Sequence, residues 1–505
     1  MNREPRNIGS IVILTFSLVL GAICTLGANA QAPPAQRWVI TGAQVADGTG
    51  APLRAMNVRV EGDRIVKVGN FAPRKDETVI RADGLVLAPG FIDIHNHSTE
   101  GLEKDPLAES QVSQGITTVL LGQDGGSPWP IGEYLEKMRR NPAALNFLML
   151  VGHATVREKV MGGDFRRAAR EDEIAAMEKL VEQGMREGAI GLSSGLEYEV
   201  GSYSTTEEVV RLARVAGRRG GFYISHIRDE ADRSFEALRE AIRIGEDGHL
   251  PAQITHIKMG TVGVWGKAGE AVRLIEEARR RGLDVTADCY PYDAWHSTIT
   301  VLVPNKRYDD PASVERALAD VGGAANVLIS GFPPRPEYEG RNLEEIARDR
   351  GITPVELFIE VVKAGGASVI CKSMIEDDIR TFYQQPWVMV SSDGGIGMRH
   401  PRATGTFPKV LGQFVREKKW LALEEAVRKM TSLPAWRLGL KDRGRIRKGM
   451  KADLVLFDPA RVRDRSTFAE PTKLSEGIEK VFVNGAPVWD AGKTTGARPG
   501  RVLPR

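Results

Sequence analysis

The sequence predicts an α/β fold, a (β/α)8 TIM-type barrel accompanied by a small β domain to which both ends of the chain contribute. Three observations predict it. Between residues 91 and 391, eight short apolar segments alternate with amphipathic helical stretches, the pattern of a parallel sheet wrapped by crossover helices. On either side of that region the chain reads as short alternating runs divided by turn signals, as antiparallel strands do. A chain of 505 residues is also longer than one core usually serves.

Taken in order, the first thirty residues stand apart. Arg3 and Arg6 precede an apolar stretch from Ile11 to Ile23, and Ala28-Asn29-Ala30 is a small-x-small site of the kind signal peptidase cleaves. Residues 1–30 are therefore expected to be a signal peptide, the mature chain to start near Gln31, and the protein to be exported, periplasmic or secreted. An uncleaved anchor is the other reading, because Ile8 to Leu26 approaches the roughly 20 apolar residues that cross a bilayer. The interrupting Ser, Thr and Gly residues favour removal, so no stable membrane association is expected. Of three cysteines, Cys289 and Cys371 then remain, which is no disulfide framework; they read as small buried hydrophobes.

From Trp38 to Gly69 the runs Trp38-Val-Ile, Val58-Arg-Val and Arg64-Ile-Val-Lys-Val are separated by Asp47-Gly48 and Glu61-Gly62-Asp63, which predicts a small antiparallel sheet. The same texture returns in Ala452 to Phe457 and in Lys480 to Val483 with its Asn484-Gly485 turn. Residues 31–84 and 435–505 are thus expected to form the small domain and 85–434 the barrel. Barrel strands are predicted at Phe91–His95, Thr117–Leu121, Phe147–Val151, Ile190–Ser194, Phe222–His226, Ala252–His256, Val285–Cys289 and Trp387–Ser391. Helices fall between most of them, as at Asp172–Met185, Thr205–Arg218, Ser234–Ile244 and Ala268–Arg281, and Ser204-Thr-Thr-Glu207 reads as a capping box. The gap from Tyr292 to Trp387 is too long for one connection. Its strand-like Val327–Ser330 and Ser368–Ile370 predict an insertion around 300–380.

Composition narrows the partners. Apolar residues make up 42%, charged residues 27%, and the net charge is +3 with no long run of one sign. Nothing here suits nucleic acid, so a small-molecule substrate is the expected partner. Clusters such as Arg279-Arg280-Arg281 sit at helix ends, where they suit the helix dipole.

The chemistry is carried by strand ends. His95 and His97 close the first strand two residues apart, and alternate side chains of a strand share a face. His226 ends the fifth strand, His256 the sixth and Asp393 the eighth. In such barrels the C-terminal strand ends gather at one face, where active sites lie. Imidazole and carboxylate donors in this number suit zinc, with Asp393 available as a proton carrier. Lys258 follows His256 by two residues, on the same side, and would meet an anionic group near the metal.

These residues lie in recognisable motifs. Pro89-Gly-Phe-Ile-Asp-Ile-His-Asn-His97, with the later histidines and Asp393, resembles the amidohydrolase superfamily. More narrowly, six segments are similar to the N-acyl-D-amino-acid deacylases (D-aminoacylases). They are Gly152-His-Ala-Thr-Val-Arg157, Gly191-Leu-Ser-Ser-Gly-Leu196 with Gly201-Ser-Tyr203, Ser225-His-Ile-Arg-Asp-Glu230, Thr286-Ala-Asp-Cys-Tyr-Pro-Tyr292, His400-Pro-Arg402 and Gly449-Met-Lys-Ala-Asp-Leu454. The resemblance implies a metal-bearing barrel with a small β-sandwich from both termini. It implies one or two zinc ions, water-based cleavage of a linear amide, and Asp393 as the proton shuttle. It also places Arg402 and Tyr290 at the substrate carboxylate, with Tyr292 as an alternative to Tyr290, and Ser297 in the pocket. His153, ending the third strand, has two open roles, orienting a ligand or donating to the oxyanion.

One departure stands out. Where the family has Gly-Asn-Cys-Gly with a ligating cysteine, this chain has Gly122-Gln-Asp-Gly125, so Asp124 is the expected ligand. A carboxylate also binds and bridges zinc but is a harder donor than thiolate, and this leaves one ion or two open. With no arginine between Tyr292 and Arg307, apolar or mixed N-acyl-D-amino acids, or dipeptides ending in a D-residue, are expected over acidic ones. Two other readings remain: a cyclic amidohydrolase like the hydantoinases or dihydroorotases, which would need a lysine on the fourth strand, and an inactive barrel scaffold.

Overall fold

The computed structural model describes residues 37–504; the expected signal peptide lies outside the described residues. Eight strands form the barrel: Phe91–Asp93, Ile116–Leu121, Asn146–Met149 continued by Val151–Gly152, Gly191–Gly195, Phe222–His226, Ala252–Ile254, Val285–Cys289 and Val388–Val390. Each pairs in parallel with the next. The third strand breaks at Leu150, its first half bonding the second strand and its second half the fourth. Closure of the ring falls beyond the ends of the first and eighth strands, in a parallel bridge between Asn96 and Gly394. There the Asp393 N–H donates to the His95 carbonyl at 3.0 Å and the His97 N–H to the Gly394 carbonyl at 2.7 Å. Below them the Asp93 carboxylate accepts from the Ser392 N–H at 2.9 Å and from Asn96 Nδ2 at 2.8 Å. The seam that shuts the barrel is thus also the platform for His95, His97 and Asp393.

Strand residues alternate between two apolar environments, as barrel geometry demands. Ile92, Leu120, Leu148, Ile224 and Met389 fill the interior, and Ala435, Leu438 and Leu503 close it from below. Phe91, Val119, Phe147, Tyr223 and Val388 face the helices. The helix Thr206–Arg218 shows why these elements form: Val209, Val210, Leu212, Ala213 and Ala216 are buried on one stripe. Its N-cap is Thr205, whose hydroxyl accepts the Glu208 N–H at 3.2 Å, one residue later than the predicted capping box. Ser204 instead bonds back to the Gly201 carbonyl at 2.6 Å.

Two sheets make the sandwich. One runs Arg64–Gly69, Asn57–Glu61, Arg37–Thr41, Thr78–Arg81, and the other contains Ala486–Asp490, Ile478–Val483, Leu454–Phe457, Val86–Pro89 and Gln44–Val45. They enclose Trp38, Ile40, Val58, Leu454 and Phe482, with Trp38 stacked on Phe482 at 4.4 Å. The sheets are mixed rather than purely antiparallel, because Arg37–Thr41 runs parallel to Thr78–Arg81 and Gln44–Val45 parallel to Val86–Pro89. The apolar run from Leu85 to His97 is therefore two strands in two domains. Gly90 is the crossing point, where a Cβ would come within 2.3 Å of the Thr117 side chain.

The insertion begins at Trp295, earlier than the sequence suggests. Trp295–Thr298, Ser368–Cys371 and Val327–Gly331 form a three-stranded antiparallel sheet with its own core of Val314, Ile329, Leu343, Phe358 and Val369. The helix Glu376–Tyr383 returns to the barrel, packing Ile379 and Phe382 into the main core. Cys289 and Cys371 are both buried and unpaired. Among the described residues no helix is long and apolar enough to cross a membrane.

Candidate active site

His226 ends its strand and the other expected donors sit just beyond theirs, three of them in the left-handed backbone region. Asp124 (φ 54°), His256 (φ 32°) and Asp393 (φ 48°) all adopt it, a strain of the sort found where structure holds a functional group in place. At His256 the restraint is visible. Its N–H donates to Asp288 Oδ1 at 2.9 Å, and Asp288 is itself fixed by Ser391 and Gln253, both at 2.6 Å.

Five of the expected ligands cluster, and His226 adjoins them through His256, grouping with His256 and Glu230. His95, Asp124, His256 and Asp393 each offer a donor atom, all within 4.8 Å of one another. His97 Nε2 lies 3.1 Å from His95 Nε2, 3.0 Å from Asp393 Oδ1 and 3.6 Å from Asp124 Oδ2. His95 Nε2 lies 3.5 Å from Asp124 Oδ1 and 3.4 Å from Asp393 Oδ1. His226 Nδ1 lies 3.0 Å from His256 Nε2. Asp124 Oδ1 is buried without a hydrogen-bond partner, although a carboxylate oxygen in that position needs one.

The charges agree with the geometry. Burial alone would lower the His95 pKa, but Asp124 and Asp393 outweigh it and raise the ring to about 9. Burial likewise opposes ionisation of Asp393, yet Arg402, His256 and His95 hold that carboxyl well below the usual carboxylate range. Asp124 is lowered too, the neighbouring imidazoles overcoming its burial. A site that draws a proton onto a fully buried imidazole favours a cation at its centre. With the orphaned Asp124 oxygen and the all-nitrogen-and-oxygen donor set, these residues fit a divalent ion of the zinc class.

A profile of the amidohydrolase family matches residues 78–489. The chain belongs to that family. Within the amidohydrolases it groups with the D-aminoacylases: D-aminoacylase of Alcaligenes xylosoxydans xylosoxydans is 38% identical over 492 residues, covering 92% of this chain and 97% of that protein. A D-aminoacylase structure concerned with its binuclear metal centre, with one-metal activation and second-metal attenuation, matches with a TM-score of 0.85 and 37% identity, over 94% of this chain and all of that one. N-acyl-D-glutamate deacylase of Bordetella bronchiseptica, solved with zinc and a phosphonate mimic of the tetrahedral intermediate, matches at 0.85 and 33%, with the same coverage of 94% and 100%.

In this amidohydrolase the expected substrate contacts divide. Arg402 is buried, with Nη1 2.8 Å from Asp393 Oδ2 and its guanidinium 5.0 Å from the Tyr290 ring. The Tyr290 hydroxyl is buried and unpartnered, whereas the alternative, Tyr292, bonds the Pro401 carbonyl at 3.3 Å and lies 3.4 Å from Asp464. A cavity bordered by His226, His256, Asp393 and Arg402 opens on the donor cluster, and Ser297 lines it from the insertion, next to His296. Lys258 also lines it, but its ammonium is held by both Glu230 oxygens at 2.7 Å. His153 does not line it, which corrects the substrate-binding expectation. It begins the helix His153–Met161, and its Nε2 lies 2.9 Å from Glu208 Oε1, beside the buried Arg157 that pairs with the same carboxylate.

Sequence reasoning passed over Glu197, Tyr198, Glu230, Asp288 and His296. Glu197 Oε2 lies 2.7 Å from His226 Nε2, and Tyr198 donates to Asp124 Oδ2 at 3.4 Å. The signal was available for Asp288, which sits at a strand end like the ligands themselves. A larger cavity of about 1020 Å³ adjoins the site, sharing Glu197, Tyr198, Val301 and Pro304 with it.

Proposed function

We propose that this protein is a metal-dependent deacylase that hydrolyses N-acyl-D-amino acids, or dipeptides with a C-terminal D-residue, and releases the free D-amino acid. The observation that carries the reading is the convergence of His95, Asp124, His256 and Asp393 within 4.8 Å in a chain 38% identical to a D-aminoacylase. His95, His97, Asp124, His226, His256 and Asp393 would hold one or two zinc ions. When bound, such an ion supplies an acidified water and polarises the scissile carbonyl.

The chain's own groups do the rest. Asp393 presents Oδ1 to the donor cluster and Oδ2 to Arg402, so one oxygen is placed to take the proton of the attacking water and pass it to the departing amine. Arg402, stacked near Tyr290, supplies positive charge to the substrate α-carboxylate as well as to Asp393. The buried Tyr290 hydroxyl is a free donor beside it. Lys258 contributes to the same anionic end only through charge it already shares with Glu230. Ser297 and His296, from the insertion, wall the cavity.

The cyclic-amidohydrolase reading is set aside because strand four, Gly191–Gly195, contains only Gly, Leu and Ser and so lacks its lysine. The scaffold reading is set aside because every expected donor is in place. The leader-like residues 1–30 support action outside the cytoplasm after cleavage. A panel of N-acetyl-D-, N-acetyl-L- and L-Xaa-D-Xaa substrates beside hydantoin and dihydroorotate tests the reading. Turnover of the D-series alone is expected; faster cleavage of the L-series, or ring opening, would overturn it.

A further inference from the structure

Behind each histidine on strands five and six stands a carboxylate. His226 Nε2 lies 2.7 Å from Glu197 Oε2, and His256 Nδ1 lies 3.1 Å from Glu230 Oε1. The two carboxylates are only 10% and 15% exposed, and the Glu230 N–H reaches Glu197 Oε1 at 3.4 Å, so they form one largely covered wall. A neutral imidazole carries one N–H, and an ionised carboxylate can only accept. Each ring that gives its N–H to the wall keeps its lone pair on the far nitrogen, Nδ1 in His226 and Nε2 in His256. Those two nitrogens are 3.0 Å apart.

His256 has a competing arrangement. Lys258 Nζ lies 2.8 Å from the same Nδ1 and can donate to it, which would place the ring proton on Nε2, toward His226. Glu230 opposes this by engaging the ammonium with both oxygens at 2.7 Å while offering Oε1 to Nδ1. We propose that Glu197 and Glu230 are positioning residues for the metal, fixing His226 as an Nδ1 ligand and His256 as an Nε2 ligand, with Lys258 balancing the charge of Glu230. The inference rests on the metal reading above and deepens it, since it names the residues that orient the two histidines.

Zinc affinity of the full-length protein, measured by competition with a chromophoric chelator, tests it. Glu197→Gln and Glu230→Gln are each expected to bind zinc about 10- to 100-fold more weakly, the usual consequence of losing the partner of a ligating histidine. The surface variant Glu182→Gln, which touches only Arg219 and Arg186, is expected to match wild type. Melting temperatures with chelator present separate positioning from folding: the variants should keep the wild-type metal-free value and lose part of the zinc-induced rise. Should either variant fail to fold, ¹⁵N-histidine NMR of the zinc-loaded wild type decides, with metal-shifted Nδ1 at His226 and Nε2 at His256 expected. Unchanged affinity in both variants, or the opposite nitrogen pattern, would overturn the assignment while leaving the metal site standing. A wild-type protein that takes up no zinc would overturn the metal reading, and the assignment with it.

Discussion

Replacing Asp393 by Asn keeps the shape of the side chain and removes its charge and its capacity to carry a proton. The carboxylate is 6% exposed, with Oδ1 3.0 Å from His97 Nε2 and Oδ2 2.8 Å from Arg402 Nη1, so the amide would occupy the same space with a neutral group. Loss of a positioned proton carrier costs about 10²- to 10⁴-fold in rate. That corresponds to about 3–5 kcal/mol of barrier. The substitution also leaves the Arg402 guanidinium, 3% exposed, without its counter-ion, a change worth about 3–5 kcal/mol where a buried pair is broken outright. Part of that is recovered because the Asn oxygen can still accept from Arg402. Asp124, His95, His226 and His256 remain, so zinc uptake should persist. The assay is the initial rate of D-amino-acid release at saturating substrate, with metal content measured on the same sample. A fall in kcat of two to four orders with zinc retained is expected; a variant keeping more than about a tenth of wild-type kcat at full metal would refute the shuttle.

Other outcomes follow from single residues. Asp124→Cys exchanges a hard donor for thiolate, so the cobalt-loaded variant should gain a near-ultraviolet sulfur-to-metal charge-transfer band that wild type lacks, and absence of the band would remove position 124 from the metal. Asp124→Ala should lower bound zinc, as read by elemental analysis. Lys429, buried against the Val388 carbonyl at 2.9 Å, is pushed by burial down to about 8 from 10.5. Between those values the unfolded chain holds more protons than the native one, so stability rises with pH across the window. Relative to Lys429→Met, wild type should gain about 2 kcal/mol from pH 7.5 to pH 10 in denaturant titrations.

Much of the barrel was legible because its strands are buried on both faces and read as apolar runs, and because ligands at strand ends share one face by construction. Strand ends pointed to five of the donors, His95, His97, His226, His256 and Asp393, without knowledge of their distances, whereas Asp124 was expected only because it stands where the family has a cysteine. What stayed hidden depends on long-range pairing. Nothing local shows that Val86–Pro89 belongs to the sandwich and Phe91–Asp93 to the barrel, since both are apolar and the break is a single Gly90. The parallel pairs of the sandwich were missed for the same reason: alternation reports a strand, not the direction of its neighbour. His153 was misplaced because position at a strand end does not tell which way a side chain turns once a helix starts there. Glu197 and Glu230 were invisible as partners because acidic residues after a strand usually face solvent, and only the fold brings them behind His226 and His256.

At the centre stands a metal-dependent hydrolysis confined to the D-series. Its most direct test is to strip the protein with chelator and titrate zinc back while following release of amino acid from paired N-acetyl-D- and N-acetyl-L-substrates. Activity on the D-substrate should be absent in the stripped protein and rise with the first equivalent of zinc, with the L-substrate inert throughout. Full D-turnover without metal, or equal turnover of the two enantiomers, would contradict a metal-dependent, D-specific deacylase.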